Sequence, residues 1–579
     1  MRVAIAVENR FVQQWIADCV RKLKLQDGVE LAGVLIAGES AEAGDGKSRG
    51  ESKGKNTSKS KSGPFGYRWL ERRISRRCPA MRRTDVAEAA PGVPVPETRG
   101  DGEAAKRFIA DRKPDVLLNL APGFLGEASF PELRYGIWRF DYGPEGGFRT
   151  GFEMLLAGLL RKRETATIRL IRARRGQQAD VVLKQGTFAA SQHSFASRMD
   201  QIHRFASEWP AYACRDIVRG NAVYLDQASA EIVEDGRTDP VPSMTPKPGR
   251  ASSSVHAAGG AAVVRALVLL ARDKAKRFLT RWFVAEHWNV GIVDRPIESF
   301  LDEPGSESGM PEVDWLPKRP QFMADPFGVQ IDGRLHLLVE EYDYASGKGV
   351  ISSIRRGDEP VFGPERTVLN LPFHMSYPYL LRHEGEIYCI PETYQAKEVA
   401  LYKAIRFPNE WEKAATLIEG FQAVDATPFR HDGRWWLLCT DEQTGWNSHL
   451  YIWHADDLLG PWRPHEMNPV KMDVRSARPA GTPFYSRGEL FRPAQDCSRT
   501  YGGAVVLNRI RTLTPREFAE EPVRRLAPDP RGPYRDGLHT LSAAGGLTLI
   551  DSKRESIYFK VFMIRVVSIL KGKLRIDAG

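Results

Sequence analysis

The chain has 579 residues, of which 42% are apolar and 10% aromatic, and its formal net charge is +10. A chain of this length is too long for one hydrophobic core, so a single-domain protein is excluded and two or three folded domains are expected. The positive charge favours contact with anionic surfaces. We expect no specific recognition of nucleic acid, because much of the excess charge lies in a few segments.

The six cysteines lie far apart, and no two of them have the short spacing that binds zinc or exchanges electrons. We therefore expect buried thiols, no metal and no other cofactor. The first residues, MRVAIAVENR, read as a β-strand and lack a secretory signal, which predicts a cytoplasmic protein. The longest apolar runs, at 261–271 and 558–570, are interrupted by Arg or Lys and are too short to span a bilayer. Peripheral contact with an anionic membrane stays open.

The first predicted domain, residues 1–220, alternates strand and helix patterns. Strand patterns lie at 2–7, 29–38 and 115–121, and helix patterns lie at 11–23 and 104–113. This order predicts an open, mainly parallel sheet covered by helices, which is an α/β fold. Residues 39–64 offer no apolar side chains for burial and are rich in basic residues, which predicts a disordered surface insertion.

Residues 221–286 are predicted to link two domains. The stretch 227–258 is rich in Pro, Ser and Gly, and a helical pattern with a strongly basic face follows at 262–286. The apolar stripe of this helix consists of Val263, Leu267, Leu270 and Phe278. Such a helix docks on a folded domain or lies at a membrane interface. Residues 553–579 show a similar mixture of apolar and basic residues and are predicted to form a basic C-terminal tail.

One pattern recurs between positions 322 and 551: a polar entry with a proline, a Gly-centred turn and a strand of alternating aromatic and aliphatic residues. Its prolines are Pro326, Pro378, Pro428 and Pro483, which lie 52, 50 and 55 residues apart. A weaker fifth copy occupies 537–552. A regular period with strand–turn–strand chemistry predicts an all-β five-bladed propeller over 287–552, closed by a strand at 287–294. A β-sandwich is the alternative fold.

The first repeat opens with M-A-D-P-F and continues to a D-G turn, and this fragment resembles the start of the propellers of glycoside hydrolase family 43. The resemblance implies that Asp325 lies on the propeller axis and acts as the general base. The family's second Asp corresponds to Asp425, which is offset by two residues in V-D-A-T-P-F. Gly481 stands about where the family has its general acid, so Glu392 and Glu442, at the ends of strands, are the candidate substitutes.

The repeats as a whole, with R-P-A-G and G-L-H-T-L, resemble the N-terminal domain of glucosamine inositolphosphorylceramide transferases. Arg478, Gln495, Asp496 and His539 fall at positions that are expected to face a central cavity. These residues suggest a polar pocket for a glycan or a nucleotide-sugar. The alternative is that Arg478 and Asp496 form a structural pair and Asp325 caps a turn. His539 is the only candidate metal ligand on the axis.

The first domain resembles the catalytic domain of methionyl-tRNA and sugar-amine formyltransferases, through the order of PDVLLNLAPGFL, YGIWRFDYGPEGG and TATIRLIRA. That family works with an Asn, a His and an Asp. Arg139, Asp141 and Gln177 stand at these three places, so the domain is predicted to be noncatalytic. Sugar recognition through Asp141 and Glu153 is still expected, unless Glu153 is only a charge on a helix surface.

These features predict a carbohydrate-active protein of bacterial glycan or polysaccharide assembly. A noncatalytic, formyltransferase-like (Rossmann-like) α/β domain would precede a glycosidase-like propeller that binds a glycan or an activated sugar. Two alternatives stay open. In one, the propeller is an active glycosidase or glycosyl-transferring enzyme that uses its carboxylates. In the other, the protein is an interaction scaffold at a membrane, which a cavity filled by bulky side chains would favour.

Overall fold

The computed structural model describes most of the chain. The described residues are 1–38, 65–98, 102–121, 133–143, 148, 150–173, 180–190, 193–225, 259–302, 311–344, 346–356, 366–557 and 562. They fall into two compact units, of which the first comprises 1–186 with 193–273 and the second 187–192 with 274–579. The predicted insertion at 39–64 and the linker at 227–258 lie outside the described residues, as does the predicted tail beyond 557 except for position 562.

The first unit is an α/β domain built on a six-stranded sheet. Its strands are β1 (Arg2–Val7), β2 (Phe11–Gln13), β3 (Glu30–Ile36), β4 (Arg83–Asp85), β5 (Val116–Asn119), β6 (Ile137–Asp141), β7 (Thr165–Ala173) and β8 (Val181–Ala189). Its helices are α1 (Gln14–Leu25), α2 (Phe65–Ser75), α3 (Val86–Ala89), α4 (Gly102–Arg112), α5 (Gly151–Leu160), α6 (Phe195–Ala206) and α7 (Trp209–Val218). Helix α8 (Gly259–Phe283) follows and leads into the second unit.

The six-stranded sheet has the order β3-β1-β5-β6-β7-β8, and β2 pairs separately with β4. Strand β1 is parallel to β3 and to β5, and β5 is parallel to β6, whereas β6 and β7 are antiparallel. Val3 to Val7 of β1 are all buried, as expected for a central parallel strand covered on both faces. The predicted α/β fold is confirmed as a mixed sheet, and the formyltransferase-like arrangement stays a prediction.

The second unit contains five sheets of at least four strands each, and it is a five-bladed β-propeller. Blade one comprises β11 (Phe322–Ile331), β12 (Arg334–Asp343), β13 (Lys348–Arg355) and β14 (Arg366–Leu369); blade two comprises β15 (Ser376–His383), β16 (Glu386–Glu392), β17 (Glu398–Arg406) and β18 (Glu410–Glu419). Blade three comprises β19 (Ala423–His431), β20 (Arg434–Asp441), β21 (His449–Ala455), β22 (Arg463–Pro464) and β23 (Lys471–Met472), with the short helix α9 (Glu442–Gly445) after β20. Blade four comprises β24 (Phe484–Ser486), β25 (Glu489–Asp496), β26 (Ala504–Leu513) and β27 (Phe518–Leu526). This division into five sheets excludes a two-sheet sandwich.

The fifth blade is assembled from both ends of the propeller segment. Its strands are β28 (Gly537–Ala544), β29 (Leu547–Ile557), β9 (Val284–Val293) and β10 (Asp314–Trp315). Strand β9 pairs antiparallel with β29 from Val293 opposite Thr548 to Val284 opposite Ile557. The predicted closing strand is therefore confirmed, and it begins at Val284 rather than at 287 because the pairing with β29 continues to that residue. Closure in this way covers the sheet edges that an open array would expose.

Tight hairpins join the first and second strands of the blades. The turns of the first four blades are Asp332-Gly333, Glu384-Gly385, Asp432-Gly433 and Arg487-Gly488, and both residues of each turn have positive φ. Two successive positive φ values are typical of the type I′ turn, whose twist matches that of the flanking antiparallel strands. These turns are the Gly-centred elements of the sequence repeat, so the repeat predicted both the hairpins and their spacing.

Helix α8 exposes much of its apolar stripe. Leu267 is 38% exposed and Phe278 is 55% exposed, although Ala266 is fully buried. Among the described helices, none is long and apolar enough to cross a membrane.

Gly481 lies where blade four contacts blade five. It bridges to Leu541 of β28 and has a φ of +120°. A Cβ atom at this position would lie 2.1 Å from the Leu541 carbonyl oxygen. Since that oxygen belongs to the backbone of β28, the innermost strand of blade five, displacing it would disturb the blade. The blades therefore pack closely only because residue 481 has no side chain.

We expect Gly481→Ala to destabilise the propeller by at least ~3 kcal/mol, since it combines backbone strain with a steric clash. The matched control is Gly333→Ala, whose position also has positive φ but has no atom within 4 Å of the new Cβ. The control should cost only ~1 kcal/mol. Calorimetric melting of both variants measures the difference, and equal losses would contradict the close approach of the blades.

Candidate functional site

The innermost strands of four blades each contain a bulge, and the four bulges bring polar side chains together near the propeller axis. The residues at these bulges are Asp325, Tyr377, Asp425 and His539. The first three have φ values of +51°, +44° and +54°, which are strained for residues other than glycine. Strain of this kind is found most often at ligand-binding and catalytic sites.

Asp425 is structurally equivalent to Asp325. Aligning the repeats on their prolines offsets Asp425 by two residues, but the strand register places both aspartates at the bulge of their blade. The apparent offset arises because Pro326 lies inside its bulge and Pro428 follows its bulge. Asp425 therefore lies at the same place in its blade as Asp325, although the two aspartates stand at different distances from the prolines of their repeats.

The Asp551 carboxylate connects blade five to blade one. Its Oδ2 accepts a hydrogen bond of 2.7 Å from the backbone N–H of Asp325. Its Oδ1 lies 2.7 Å from Nδ1 of His539 and also accepts from the backbone N–H groups of His539 and Thr540. Asp551 is fully buried. One carboxylate thus satisfies four donors at the junction where the ring closes.

Asp325 belongs to blade one and is hydrogen-bonded to the two blades beside it. Its carboxylate accepts from the backbone N–H of Tyr377 in blade two and from the Thr540 hydroxyl in blade five, and Nε2 of His539 lies 3.6 Å away. Burial raises the pKa of Asp325 to about 6, with the His539 charge opposing the shift and the Asp551 charge adding to it. Burial lowers the pKa of His539, but the two carboxylates outweigh burial and raise it.

Arg478 forms the main ion pair of the site with Asp425. Its Nε and Nη2 lie 2.6 Å and 3.3 Å from the two oxygens of Asp425, and Gln495 donates to the same carboxylate at 2.9 Å. The guanidinium also lies 5.0 Å from the ring centres of Trp446 and Tyr501. Burial disfavours the charge of Arg478, but the Asp425 charge outweighs burial and holds its pKa well above the usual value.

These groups surround a cavity of about 350 Å³. Its aromatic lining comprises Trp288, Phe322, Tyr342, Tyr394, Trp446 and Tyr501, and its charged or titratable lining comprises Asp325, Glu340, Glu392, Glu442, Arg478, His374 and His539. The His539 ring stacks on Trp288 with a centre-to-centre distance of 3.9 Å. The cavity is therefore polar at its charged groups and apolar along its aromatic walls, and bulky side chains do not fill it.

Glu340 and Glu392 are buried carboxyl groups in the cavity wall. They occupy equivalent places on the second strands of blades one and two, opposite the residue before each bulge. Glu392 accepts from the backbone N–H of Asp425 at 3.0 Å. Within the described part of the chain, no donor bonds to the Glu340 carboxyl, and Nε2 of His374 is 3.6 Å from it. Burial, together with neighbouring carboxylates, raises the pKa of both glutamates well above the usual value.

The structure brings most of the propeller candidates to this cavity. Asp325, Glu392, Glu442, Arg478 and His539 line it, with Glu442 exposed. Asp425 and Gln495 lie behind Arg478 and orient it. Asp496 does not line the cavity and instead pairs with Arg525 at 2.7 Å. A structural pair of Arg478 with Asp496 is therefore wrong, and Asp325 does not cap a turn.

The two candidates of the first domain lie in the other unit. Asp141 pairs with Arg169 at 2.6 Å, and burial raises its pKa. Arg139 pairs with Asp180 at 3.0 Å. Glu153 is only 7% exposed, in the first turn of α5, so its interpretation as a helix-surface charge is wrong.

Three residues that line the cavity, Glu340, Trp288 and Tyr501, were not predicted from the sequence. Glu340 lies in L-L-V-E-E of the first repeat, and aligning the second strands of the repeats would have matched it to Glu392. Trp288 belongs to the closing strand, which carries no copy of the repeat. Tyr501 lies in the loop between β25 and β26, so no strand pattern pointed to it.

Asp325, His539 and Asp551 are the one group of three potential metal ligands in the described ranges. His539 was the ligand candidate from the sequence. Asp551 already accepts four hydrogen bonds, and the His539 ring nitrogens face the two carboxylates. Hydrogen bonds within the protein therefore account for this cluster without a metal ion.

We expect Arg478→Gln to destabilise the protein by ~3–5 kcal/mol, because the Asp425 charge would stay buried without its cation. The double variant Arg478→Gln/Asp425→Asn removes both charges and should recover at least half of that loss. Arg356→Gln is a control at the partly exposed pair of Arg356 with Asp314 and should cost ~1 kcal/mol or less. Thermal unfolding of the full chain measures all three. A single variant as stable as the double variant would contradict the coupling.

The comparisons with known proteins concern the propeller. Residues 315–531 match the family described as Glucosamine inositolphosphorylceramide transferase 1, N-terminal. The Glucosamine inositolphosphorylceramide transferase 1 of Oryza sativa subsp. japonica is 37% identical over 208 residues, which is 35% of this chain and 28% of that protein. The Arabidopsis thaliana protein of the same name is 32% identical over 206 residues, which is 34% of this chain and 27% of that protein. The chain thus covers little more than a quarter of these relatives.

A solved structure of a family 43 glycoside hydrolase from Xanthomonas citri, complexed with xylotriose, is also similar to this chain. The two sequences are 12% identical. The alignment covers 41% of this chain and 88% of the hydrolase, with a TM-score of 0.30. The predicted resemblance to the glucosamine inositolphosphorylceramide transferase N-terminal domain is confirmed for residues 315–531. This range contains Asp325, Glu340, Glu392 and Arg478, whereas Trp288 and His539 lie outside it.

Proposed function

We propose that the propeller cavity binds a sugar residue of a glycan or glycolipid, and that the protein acts in carbohydrate assembly. The observation that carries this proposal is the pairing of aromatic walls with buried carboxyl groups in one cavity of about 350 Å³. Aromatic rings cover the apolar faces of a sugar, and carboxyl groups bond its hydroxyls. The volume suits a small ligand of one or two rings.

The relatives support the carbohydrate class of the ligand. Their name describes a transferase of glucosamine and inositolphosphorylceramide, and the matched segment contains most of the cavity residues. Because the match covers 28% of the rice protein, its transferase reaction is not carried over to this chain. We therefore propose recognition of a sugar by the propeller and no transferase reaction.

The charge of the cavity favours a glycan over a nucleotide-sugar. Asp325, Glu340, Glu392 and Glu442 line it, and the Arg478 charge is already neutralised by Asp425. Among the described lining residues, no guanidinium lacks a carboxylate partner, so a diphosphate would gain no free cation and an ionised Asp325 or Glu442 would repel it. A neutral or amine-bearing sugar avoids this repulsion. Buried glutamates with raised pKa values can also donate hydrogen bonds in their protonated form.

Glu340 offers the sharpest test of sugar binding, because its carboxyl faces the cavity without a hydrogen-bond donor from the described residues. Glu340→Leu should weaken binding of the best ligand from an oligosaccharide panel at least ~10-fold, as expected for one or two lost hydrogen bonds. Glu340→Gln keeps a donor and an acceptor and should bind within ~3-fold of the original protein. Calorimetric titration of the full chain measures the affinities.

The control variant is Glu412→Gln, which changes an exposed glutamate on the outer strand of blade two. It should bind like the unmodified protein. If no sugar in the panel binds the unmodified protein, or if Glu340→Leu binds as well as Glu340→Gln, this cavity is not the sugar site.

A second candidate function is hydrolysis or transfer at a glycosidic bond, and the pKa of Asp325 near 6 favours it, since a general base works best near the ambient pH. Two observations oppose it. Asp325 already accepts hydrogen bonds from Tyr377 and Thr540. Gly481 has no side chain at the place of the family's general acid, and the packing against Leu541 leaves no room for one.

We therefore expect binding without turnover. Incubation of the full chain with each bound oligosaccharide, followed by mass spectrometry, should recover the oligosaccharide intact. Asp325→Asn should leave this result unchanged. Cleaved or transferred products that appear with the unmodified protein and vanish with Asp325→Asn would overturn the binding function in favour of the enzyme.

A further inference from the structure

Helix α2 of the first unit has one buried face and one strongly basic face. Tyr67, Leu70 and Ile74 are buried, at the three- and four-residue spacing of a helix side that packs on a core. The ring of Tyr67 meets that of Phe152 edge to face at 5.4 Å. The opposite side of the helix is therefore fixed toward solvent.

Arginines dominate the solvent side of α2 and the segment that follows it. The exposed arginines are Arg68, Arg72, Arg73, Arg76, Arg77, Arg82 and Arg83. Glu71 is the only acidic residue in the sequence between 65 and 84. Among the residues that the structure describes, no carboxylate lies within ion-pair distance of Arg72, Arg73 or Arg76. Such a density of uncompensated cations is costly unless an anionic partner is present.

Apolar side chains accompany these cations. Trp69 is 42% exposed, and the Arg73 guanidinium lies 5.2 Å from its ring centre. Helix α8 runs beside α2, since a Cβ at Gly66 would lie 3.4 Å from a methyl group of Val263. Next to this contact, α8 exposes an apolar stripe. Its members are Val264, Leu267 and Val268, which are 60%, 38% and 61% exposed.

We infer that the first unit docks on an anionic lipid bilayer through this arginine surface, defined as Arg68, Trp69, Arg72, Arg73 and Arg76 of α2 with Val264, Leu267 and Val268 of α8. Arg side chains near an anionic leaflet are attracted to its headgroups, and each adds to the free energy of binding to the membrane. Tryptophan and short apolar stripes insert at the boundary between headgroups and acyl chains. Stable peripheral binding needs both cations and inserted apolar side chains, and the arginine surface has both.

The apolar members of the surface distinguish a bilayer from a nucleic acid. A phosphate backbone would satisfy the arginines, but it offers nothing to the exposed aliphatic residues of α8. A bilayer surface satisfies both. Bilayer binding by this surface is independent of the sugar site, because every residue of the arginine surface belongs to the first unit.

The test is co-sedimentation of the full chain with vesicles made of equal parts phosphatidylcholine and phosphatidylglycerol. We expect binding in about 0.1 M salt, little binding to pure phosphatidylcholine, and a marked loss at about 0.5 M salt, where charges are screened. The triple variant Arg72→Gln/Arg73→Gln/Arg76→Gln should reduce the partition at least ~10-fold. Its helix content and melting temperature should match those of the unmodified protein.

The matched control removes the same charge from the other unit. Arg511→Gln/Arg516→Gln/Arg531→Gln changes three exposed arginines of the propeller that have acidic neighbours, and it should bind vesicles normally. The variant Leu267→Ser/Val268→Ser keeps every charge and should still weaken binding. If both triple variants weakened vesicle binding equally, binding would depend on the net charge of the protein and not on the arginine surface. Absence of vesicle binding, or binding to RNA alone, would overturn it.

Discussion

The propeller depends on one buried carboxylate, that of Asp551, at the point where its ring closes. Asp551 holds the bulge of its own blade and the backbone N–H of Asp325 in blade one. A buried carboxylate is stabilised when it accepts several N–H hydrogen bonds. Without Asp551, these N–H groups would be buried without an acceptor, which would lower the stability of the fold. The hydrogen bond from the Asp325 backbone to Asp551 therefore both joins blade five to blade one and fixes the position of Asp325.

The cavity is unusual in its surplus of buried acids. Asp425 and Asp551 have strong partners, while Glu340 and Glu392 have few, and burial raises the pKa values of these two glutamates. Groups that are costly to bury and poorly bonded within the protein are retained where a ligand completes their hydrogen bonds. The strained φ values at Asp325, Tyr377 and Asp425 lie in the same ring. The strained backbone and the poorly bonded buried acids thus lie in the same place, around the cavity of the propeller.

Much of the propeller was predictable from the sequence, because turns and strands have local signals. The D-G and E-G turns require positive φ, and the regular spacing of the repeats predicted the blades. The closing strand was predicted because a propeller must cover its sheet edges. Asp325 was found through its motif. Glu340 was missed because it is followed directly by Glu341, and no local signal in the sequence shows which of the two carboxyl groups is buried. The link between Arg478 and Asp425 was missed as well, since it joins different blades and only the closed ring brings them together.

In the first domain, the sequence predicted the layers but not the environment of individual charges. The sequence left Glu153 as either a sugar-binding residue or a charge on a helix surface, and the structure shows that α5 is buried along most of its length. The sequence pattern did not single out the arginines of α2. Only the structure shows that they share one face, because the buried Tyr67, Leu70 and Ile74 fix the rotation of the helix.

The way in which blade five is built also constrains the order of folding. Strand β9 at Val284–Val293 pairs with β29 at Leu547–Ile557, so its partner emerges from the ribosome more than two hundred residues later. During synthesis, blades one to four can form their hairpins locally, while β9 has no partner strand. Contacts so distant in sequence slow folding and leave a strand edge exposed in the meantime. The nascent chain is therefore most prone to aggregate just before its last blade is complete.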